Sequence, residues 1–355
     1  MPIIDLYGHA DLKARLARTA VSGSLPSSLL LHGPRGVGKQ RLALWLAQLL
    51  LCENEGPPCG HCRSCDYSRN LTHPDLHWYF PRPRLKDADA GPDDVNDDFR
   101  EVRKERVEHD GLYAASPGNE GIFVNTVHSI VREASKTPAM SRRKVFVIGD
   151  AERMGLQDGS EFAANAFLKL LEEPAANTTV IITSSETGAL LQTIRSRTVA
   201  VRVGHLPESA VREFLADPAV VAALKVTPKT VGEKVQIAGG APGNLFGDEA
   251  RAKAMAAARK LLDAAASRQI SQRHAAALSV GAAGARGGFT EILDALVVLL
   301  AERMRAAIHD ENQARALAVS RASDLVGTAR LRASGNVNPQ LIVSGLLRDL
   351  SSAMR

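Results

Sequence analysis

Three short apolar runs punctuate the first two hundred residues: SSLLLHG at 27–33, KVFVIGD at 144–150 and TTVIITSS at 178–185. Each has the length of a buried strand. Around them, KQRLALWLAQLLLC (39–52), SIVREASK (129–136) and SEFAANAFLKLLEE (160–173) repeat apolar residues every three or four positions, the period of a helix with one buried face. Alternation of the two patterns over residues 1–203 predicts an α/β fold, a parallel sheet covered by helices on both faces. The helix beginning at Ser160 is predicted to stop at Pro174, because a proline cannot continue it.

From about Leu206 the strand pattern ends. Residues 204–249 read as a small helical unit closing in a glycine-rich turn, and residues 250–355 are rich in Ala, Leu and Arg at helical spacing. These helices are too apolar for a linker, which predicts an all-helical C-terminal domain that either packs against copies or relatives of itself or only completes its own core. The stretch 81–120 is polar, proline-bearing and dense in charges of both signs. It is expected to be an exposed insertion, mobile in part, with DDFREVRKERVEHD as a solvated helix.

Composition narrows the class without naming it. The 355 residues are long for one core, and 45% hydrophobic with 23% charged residues describes an ordinary globular protein of two or three domains. A net charge of +5 permits nucleic-acid contact, but only 4% of residues are aromatic and no basic run is interleaved with them. That weakens a base-stacking single-strand binder. The N-terminal MPIIDLYGHADLKARL lacks the layout of a secretory signal, and the longest apolar runs are too short to cross a bilayer, so the expected location is the cytoplasm.

The first candidate for chemistry is GPRGVGKQ at 33–40, between an apolar strand pattern and a helical one. In the phosphate-binding pattern G-x-x-x-x-G-K-[ST], glycines let successive backbone N–H groups turn toward a phosphate and the lysine reaches the terminal phosphates. Gly33, Gly36, Gly38 and Lys39 fit, whereas Gln40 stands where a Mg²⁺-binding hydroxyl belongs. ATP hydrolysis also needs a strand ending in two acids, one for the metal and one for the attacking water. In KVFVIGD, Gly149 occupies the metal-binding position and Asp150 the catalytic one. Two departures in one Mg²⁺ site predict a nucleotide-hydrolase fold without hydrolysis, with ATP binding weak or absent.

All four cysteines lie in CENEGPPCGHCRSC, so a disulfide framework across the fold is excluded. Cys52, Cys59, Cys62 and Cys65, separated by six, two and two residues, put four thiolates within reach of one tetrahedral ion. A structural Zn²⁺ is the favoured reading; an iron–sulfur cluster and reduced structural cysteines are the alternatives. Four sulfurs leave no open position for catalysis and make His61 and His73 unnecessary as ligands.

The run LPSSLLLHGPRGVGK, the four-cysteine segment after the loop helix, HPDL at 73–76, NAFLKLLEEP at 165–174 and TIRSRT at 193–198 together resemble the AAA+ subunits of the bacterial DNA polymerase III clamp loader. The resemblance covers residues 1–203 by motif. It implies an AAA+ P-loop domain (1–203), a helical lid (204–249) and a helical collar for oligomerisation (250–355). In that family a Ser-Arg-Cys motif brings an arginine to the neighbour's ATP; here it reads Ser196, Arg197 and Thr198, which implies Arg197 as a finger acting in trans. Thr183 matches the family's sensor strand, while Asn244 stands near the place of the lid's sensor arginine. The implied partners are the gamma/tau ATPase subunits, the delta subunit and, within the complex, the sliding clamp and primer-template DNA. Two other readings remain at this stage: an ATPase-active subunit of the gamma/tau type, and a nucleic-acid-binding zinc protein outside replication.

Overall fold

A computed structural model describes residues 2–56, 58–85, 91–114, 120–155, 160–172, 174–175, 177–224, 230–246, 248–267, 269–280, 286–333 and 337–353. The chain divides into two compact units, the first running to Phe246 and the second beginning at residue 247.

The first unit opens with α1 (Ala10–Val21), β1 (Ser28–His32), α2 (Lys39–Leu51), α3 (Arg63–Arg69) and β2 (Leu76–Tyr79). It continues through α4 (Pro92–Glu108), α5 (Val124–Ser135), β3 (Lys144–Ile148), a 3₁₀ turn (Ala151–Gly155), α6 (Ser160–Glu172), β4 (Thr178–Ser184), α7 (Gln192–Arg195) and β5 (Val199–Arg202). The strands form one parallel sheet in the order β2-β3-β4-β1-β5. Leu30 pairs with Ile182 on one side and Ala200 on the other, and Phe146 pairs with His77 and Val180. Strands with a parallel neighbour on each side are buried on both faces, which is why β3 and β4 read as unbroken apolar runs. Each fully buried Leu, Ile or Phe there contributes about 1.5–3 kcal/mol. The edge strand β5 is mostly exposed, with Val199 at 50%.

The sheet and the helices expected from the sequence are present, as is the α6 stop, with Pro174 beyond its end. The insertion differs from expectation. Residues 86–90 and 115–119 lie outside the described residues, but α4 is part of the core. Val95, Phe99 and Arg106 are buried, and Phe99 meets Tyr79 and Phe80 edge-on at centroid distances of 4.9 and 5.1 Å. Val95, Phe99, Val102 and Arg106 are spaced four, three and four apart, one helical face that the surrounding charges obscure. Arg106 fits that face because its guanidinium lies over the rings of Phe80, Tyr113 and Trp78, at 3.4, 3.9 and 4.5 Å from their centroids.

The helical segment α8 (Glu208–Ala216), α9 (Pro218–Ala223), α10 (Val231–Ala238) and a 3₁₀ turn (Pro242–Leu245) also belongs to the first unit. Thr230 and Glu233 form a capping box at the start of α10, and Gly239 ends it in the left-handed conformation that glycine adopts without strain. The second unit is α11 (Asp248–Ala266), α12 (Ile270–Leu278), α13 (Arg286–His309), α14 (Gln313–Ala333) and α15 (Pro339–Ala353), around a core that includes Leu261, Leu293, Leu300, Val326 and Leu347. Among the described residues no helix is long and apolar enough to cross a membrane.

Candidate functional site

The glycine loop joins β1 to α2 at the sheet's C-terminal edge, the position where parallel α/β folds bind ligands. Gly36 and Gly38 have φ of 82° and 93°, a region that favours glycine and turns the chain into the α2 N-terminus. Gly33 lies so close to the segment after β5 that a Cβ would sit 2.0 Å from the Val203 carbonyl oxygen. The loop has the predicted strand–loop–helix setting, and Lys39 bonds back onto it.

Lys39 is 5% exposed, and its Nζ donates to the carbonyls of Gly33 (3.0 Å) and Pro34 (2.8 Å) and to Ser185 Oγ (2.9 Å). An ammonium has three donors, so these contacts use its full capacity on the protein itself. Burial lowers the Lys39 pKa, opposed by the charges of Asp150 and Glu152. From the lid, Gly243 N donates to the Gly36 carbonyl (2.9 Å), and Asn244 Oδ1 lies 3.0 Å from the place of a Gly36 Cβ. From the N-terminal segment, His9 Nε2 donates to the Val37 carbonyl at 2.8 Å.

The two departures at the Mg²⁺ site form a single packed arrangement. Gln40 Nε2 donates to Asp150 Oδ2 at 3.0 Å, and Gln40 Oε1 accepts from the Trp78 indole at 3.1 Å. A Cβ on Gly149 would lie 2.5 Å from Gln40 Oε1, so the missing side chain at 149 is the space that the Gln40 amide uses. Thr183 is fully buried and its Oγ1 accepts from Asp150 N at 3.0 Å. Glu152 Oε1 accepts from Ser185 N at 3.0 Å, and burial, with the nearby Asp150 charge, raises the Glu152 pKa to about 7.

Arg197 lies just beyond α7, at the start of the edge strand, where its Nη1 donates to the Thr193 carbonyl and to Ser196 Oγ. Its Nε and Nη2 both donate to Glu172 Oε1 at the end of α6. Ser196 is exposed and donates its own hydroxyl to the Thr193 carbonyl at 3.0 Å.

The sulfurs of Cys52, Cys59, Cys62 and Cys65 all lie within 4.8 Å of one another, and Cys52–Cys62 and Cys59–Cys65 are each 3.9 Å apart. A tetrahedral ion with bonds of about 2.3 Å requires sulfur separations of about 3.8 Å, so the four could hold a metal. Backbone N–H groups of Cys62 and Cys65 donate to the sulfurs of Cys59 and Cys62, and the hydrogen bonds at Cys59 lower its pKa to about 5. The motif HPDL braces this module. His73 Nδ1 accepts from Asp75 N, which leaves Nε2 as the donor to Ser64 Oγ on α3 (3.3 Å) and Ser141 Oγ (3.2 Å). Asp75 accepts from the backbone N–H groups of Ala139, Met140 and Ser141 at 2.6–2.8 Å. Those bonds hold its pKa low although burial, the largest influence, acts in the opposite direction.

Trp78, Ser185, Glu152, Glu172 and Gly243 escape a motif reading because each acts by position alone. A glycine and a glutamine departing together from one site is the one available hint of the Gln40–Gly149 pairing.

A family described as DNA polymerase III, delta subunit, matches residues 8–207, more than half of the chain. DNA polymerase III subunit delta' of Pseudomonas aeruginosa is 30% identical over 242 residues, 66% of this chain and 60% of that protein. The delta' subunit of Bacillus subtilis is 29% identical over 192 residues, 54% of this chain and 46% of its own length. The gamma/tau subunit of Mycobacterium tuberculosis H37Rv is 30% identical over 215 residues, 60% of this chain and 30% of its own. The chain thus spans 60% or less of the length of these relatives. With more than half of its residues matching that family model, and delta' subunits among its relatives, the chain belongs to the delta' family of DNA polymerase III subunits.

Proposed function

We propose that this chain is the delta' subunit of a DNA polymerase III clamp loader, a member that does not hydrolyse nucleotide and that presents Arg197 to the ATP site of a neighbouring subunit. The observation carrying the first half is the Gln40 amide lying against Gly149 and bonded to Asp150, in the space that an acidic side chain at position 149 would need. Lys39, bound to its own loop, supports the same reading, and ATP binding is weak or absent. For the second half, a guanidinium at an exposed sheet edge offers the forked donors that match phosphate oxygens. The four cysteines hold one structural Zn²⁺. The partners are gamma/tau and delta, with the sliding clamp and primer-template DNA met in the complex, and the all-helical second unit is the oligomerisation domain.

Two assays test this function. The purified chain should show no Mg²⁺-dependent ATP turnover above background; clear turnover abolished by Lys39→Ala would refute the first half. In the reconstituted complex, Arg197→Ala should leave assembly and zinc content intact while slowing ATP-driven clamp loading. A trans finger is worth ~10³–10⁵ in rate at an isolated site. The bulk effect should be smaller, because only one interface loses its finger. Arg197→Lys should rescue little, since a point charge does not reproduce the fork. Loading at the wild-type rate by the Arg197→Ala complex would leave a passive scaffold.

A further inference from the structure

We propose that Glu172 is a latch on Arg197: a positioning residue that holds the guanidinium within its own chain and must release it before the arginine engages a neighbour's phosphate. This rests on the reading of Arg197 given above. All three guanidinium nitrogens are engaged inside the chain. Nε and Nη2 donate to the same oxygen, Glu172 Oε1, at 2.9 and 2.5 Å, while Nη1 donates to the Thr193 carbonyl at 3.0 Å and to Ser196 Oγ at 3.3 Å.

The geometry makes the two states exclusive. The Nε and Nη2 donors form one edge of the guanidinium, and that edge is one a phosphate takes in a two-pronged contact. With Glu172 on it, a phosphate cannot use the same edge. The latch is also breakable, because the side chains of Arg197 and Glu172 are 33% and 47% exposed and water competes for both. A terminal phosphate carries more charge than a carboxylate, so it wins once a neighbour brings it within reach. Glu172 therefore sets where the arginine rests rather than whether it can act, and it opposes arginine engagement when the assembly is idle. Since α6 supplies the carboxylate and the α7 segment the remaining acceptors, a small shift between these two helices is enough to open the contact.

The test uses the reconstituted clamp-loader complex and its steady-state ATP turnover without clamp or DNA. Glu172→Gln keeps the shape and removes the charge; Glu172→Ala removes the acceptor. Both should raise kcat about two- to fivefold, the span an exposed ion pair supports, with KM for ATP unchanged. The double variant Glu172→Gln/Arg197→Ala should equal Arg197→Ala alone. If Arg197→Ala slows turnover while both Glu172 variants match the wild type, the latch is refuted and the trans arginine stands. If the Glu172 variants slow turnover as Arg197→Ala does, Glu172 aligns the arginine and does not restrain it, which also refutes the latch. If Arg197→Ala has no effect, the reading of Arg197 fails and the latch fails with it.

Discussion

Gln40 and Gly149, 109 positions apart, fit as one piece: the amide of the first fills the space that a side chain on the second would need, with only 2.5 Å between Gln40 Oε1 and the place of a Gly149 Cβ. Gly149 is not among the described residues with positive φ, so alanine suits its backbone and only the Gln40 amide opposes it. Gly149→Ala should push that amide off Asp150 and Trp78, destabilising the chain by about 1–3 kcal/mol in urea unfolding. In a Gln40→Ala background the same change should be nearly neutral. A coupling of about 1 kcal/mol or more in the double-mutant cycle is expected; additive effects would show that the two sites are independent.

Lys39 should be a stability residue. In a working phosphate loop its loss strikes turnover; here it would leave the Gly33 and Pro34 carbonyls and the Ser185 hydroxyl without their buried donor. Lys39→Ala should lower stability by about 1–3 kcal/mol, measured by thermal or urea unfolding. An unchanged melting curve would argue against this role.

Metal analysis of the purified chain should give about one zinc per chain, with no visible absorption of iron–sulfur type. Cys62→Ser should abolish it, because Cys62 is both a candidate ligand and the N-cap of α3, where its sulfur accepts from Cys65 N. The sheet should remain folded, since its core lies elsewhere. A full complement of zinc in that variant would rule out Cys62 as a ligand.

His77 should make the fold acid-sensitive. It stacks on Phe146 with centroids 4.6 Å apart, its buried Nε2 has no hydrogen-bond partner among the described residues, and burial depresses its pKa from 6.5 to about 4. The unfolded chain then takes up the proton more readily than the folded one. Stability is full above about pH 6.5 and falls as pH drops toward 4. The shift amounts to at most about 3 kcal/mol. His77→Phe keeps the stacked ring and should flatten that part of the pH profile; an identical profile would mean that other groups control it.

Much of the fold was legible because burial on both faces imposes unbroken apolar runs, as in VFVI and VIIT, and a helix stop is chemically explicit at Pro174. The four cysteines were legible for a similar reason, since close sulfur spacing is written into the chain. The insertion was not. Val95, Phe99 and Arg106 share a helical face, but an arginine counts as exposed until the rings of Phe80 and Tyr113 are seen around it. The site was half legible: the departures at Gln40 and Gly149 could be read, but their contact could not, because a Cβ-sized gap exists only after β3 and α2 pack together. Glu172 was invisible as a partner of Arg197, since nothing local joins α6 to α7.

The bond from Gly243 N to the Gly36 carbonyl ties the lid to the glycine loop, and Tyr7 extends the tie by donating to Asp217 Oδ2 at 2.6 Å while its ring meets Phe214 edge-on. Opening this segment away from the glycine loop must break that backbone bond and the Tyr7 contacts, a cost of about 1–3 kcal/mol. Hydrogen exchange offers the measure: the Gly243 amide should be protected, yet exchange faster than the amides of β1 and β4, and Tyr7→Phe should speed it further. In kinetic terms, lid opening in this chain carries a toll of a few contacts that a freely hinged lid would not have.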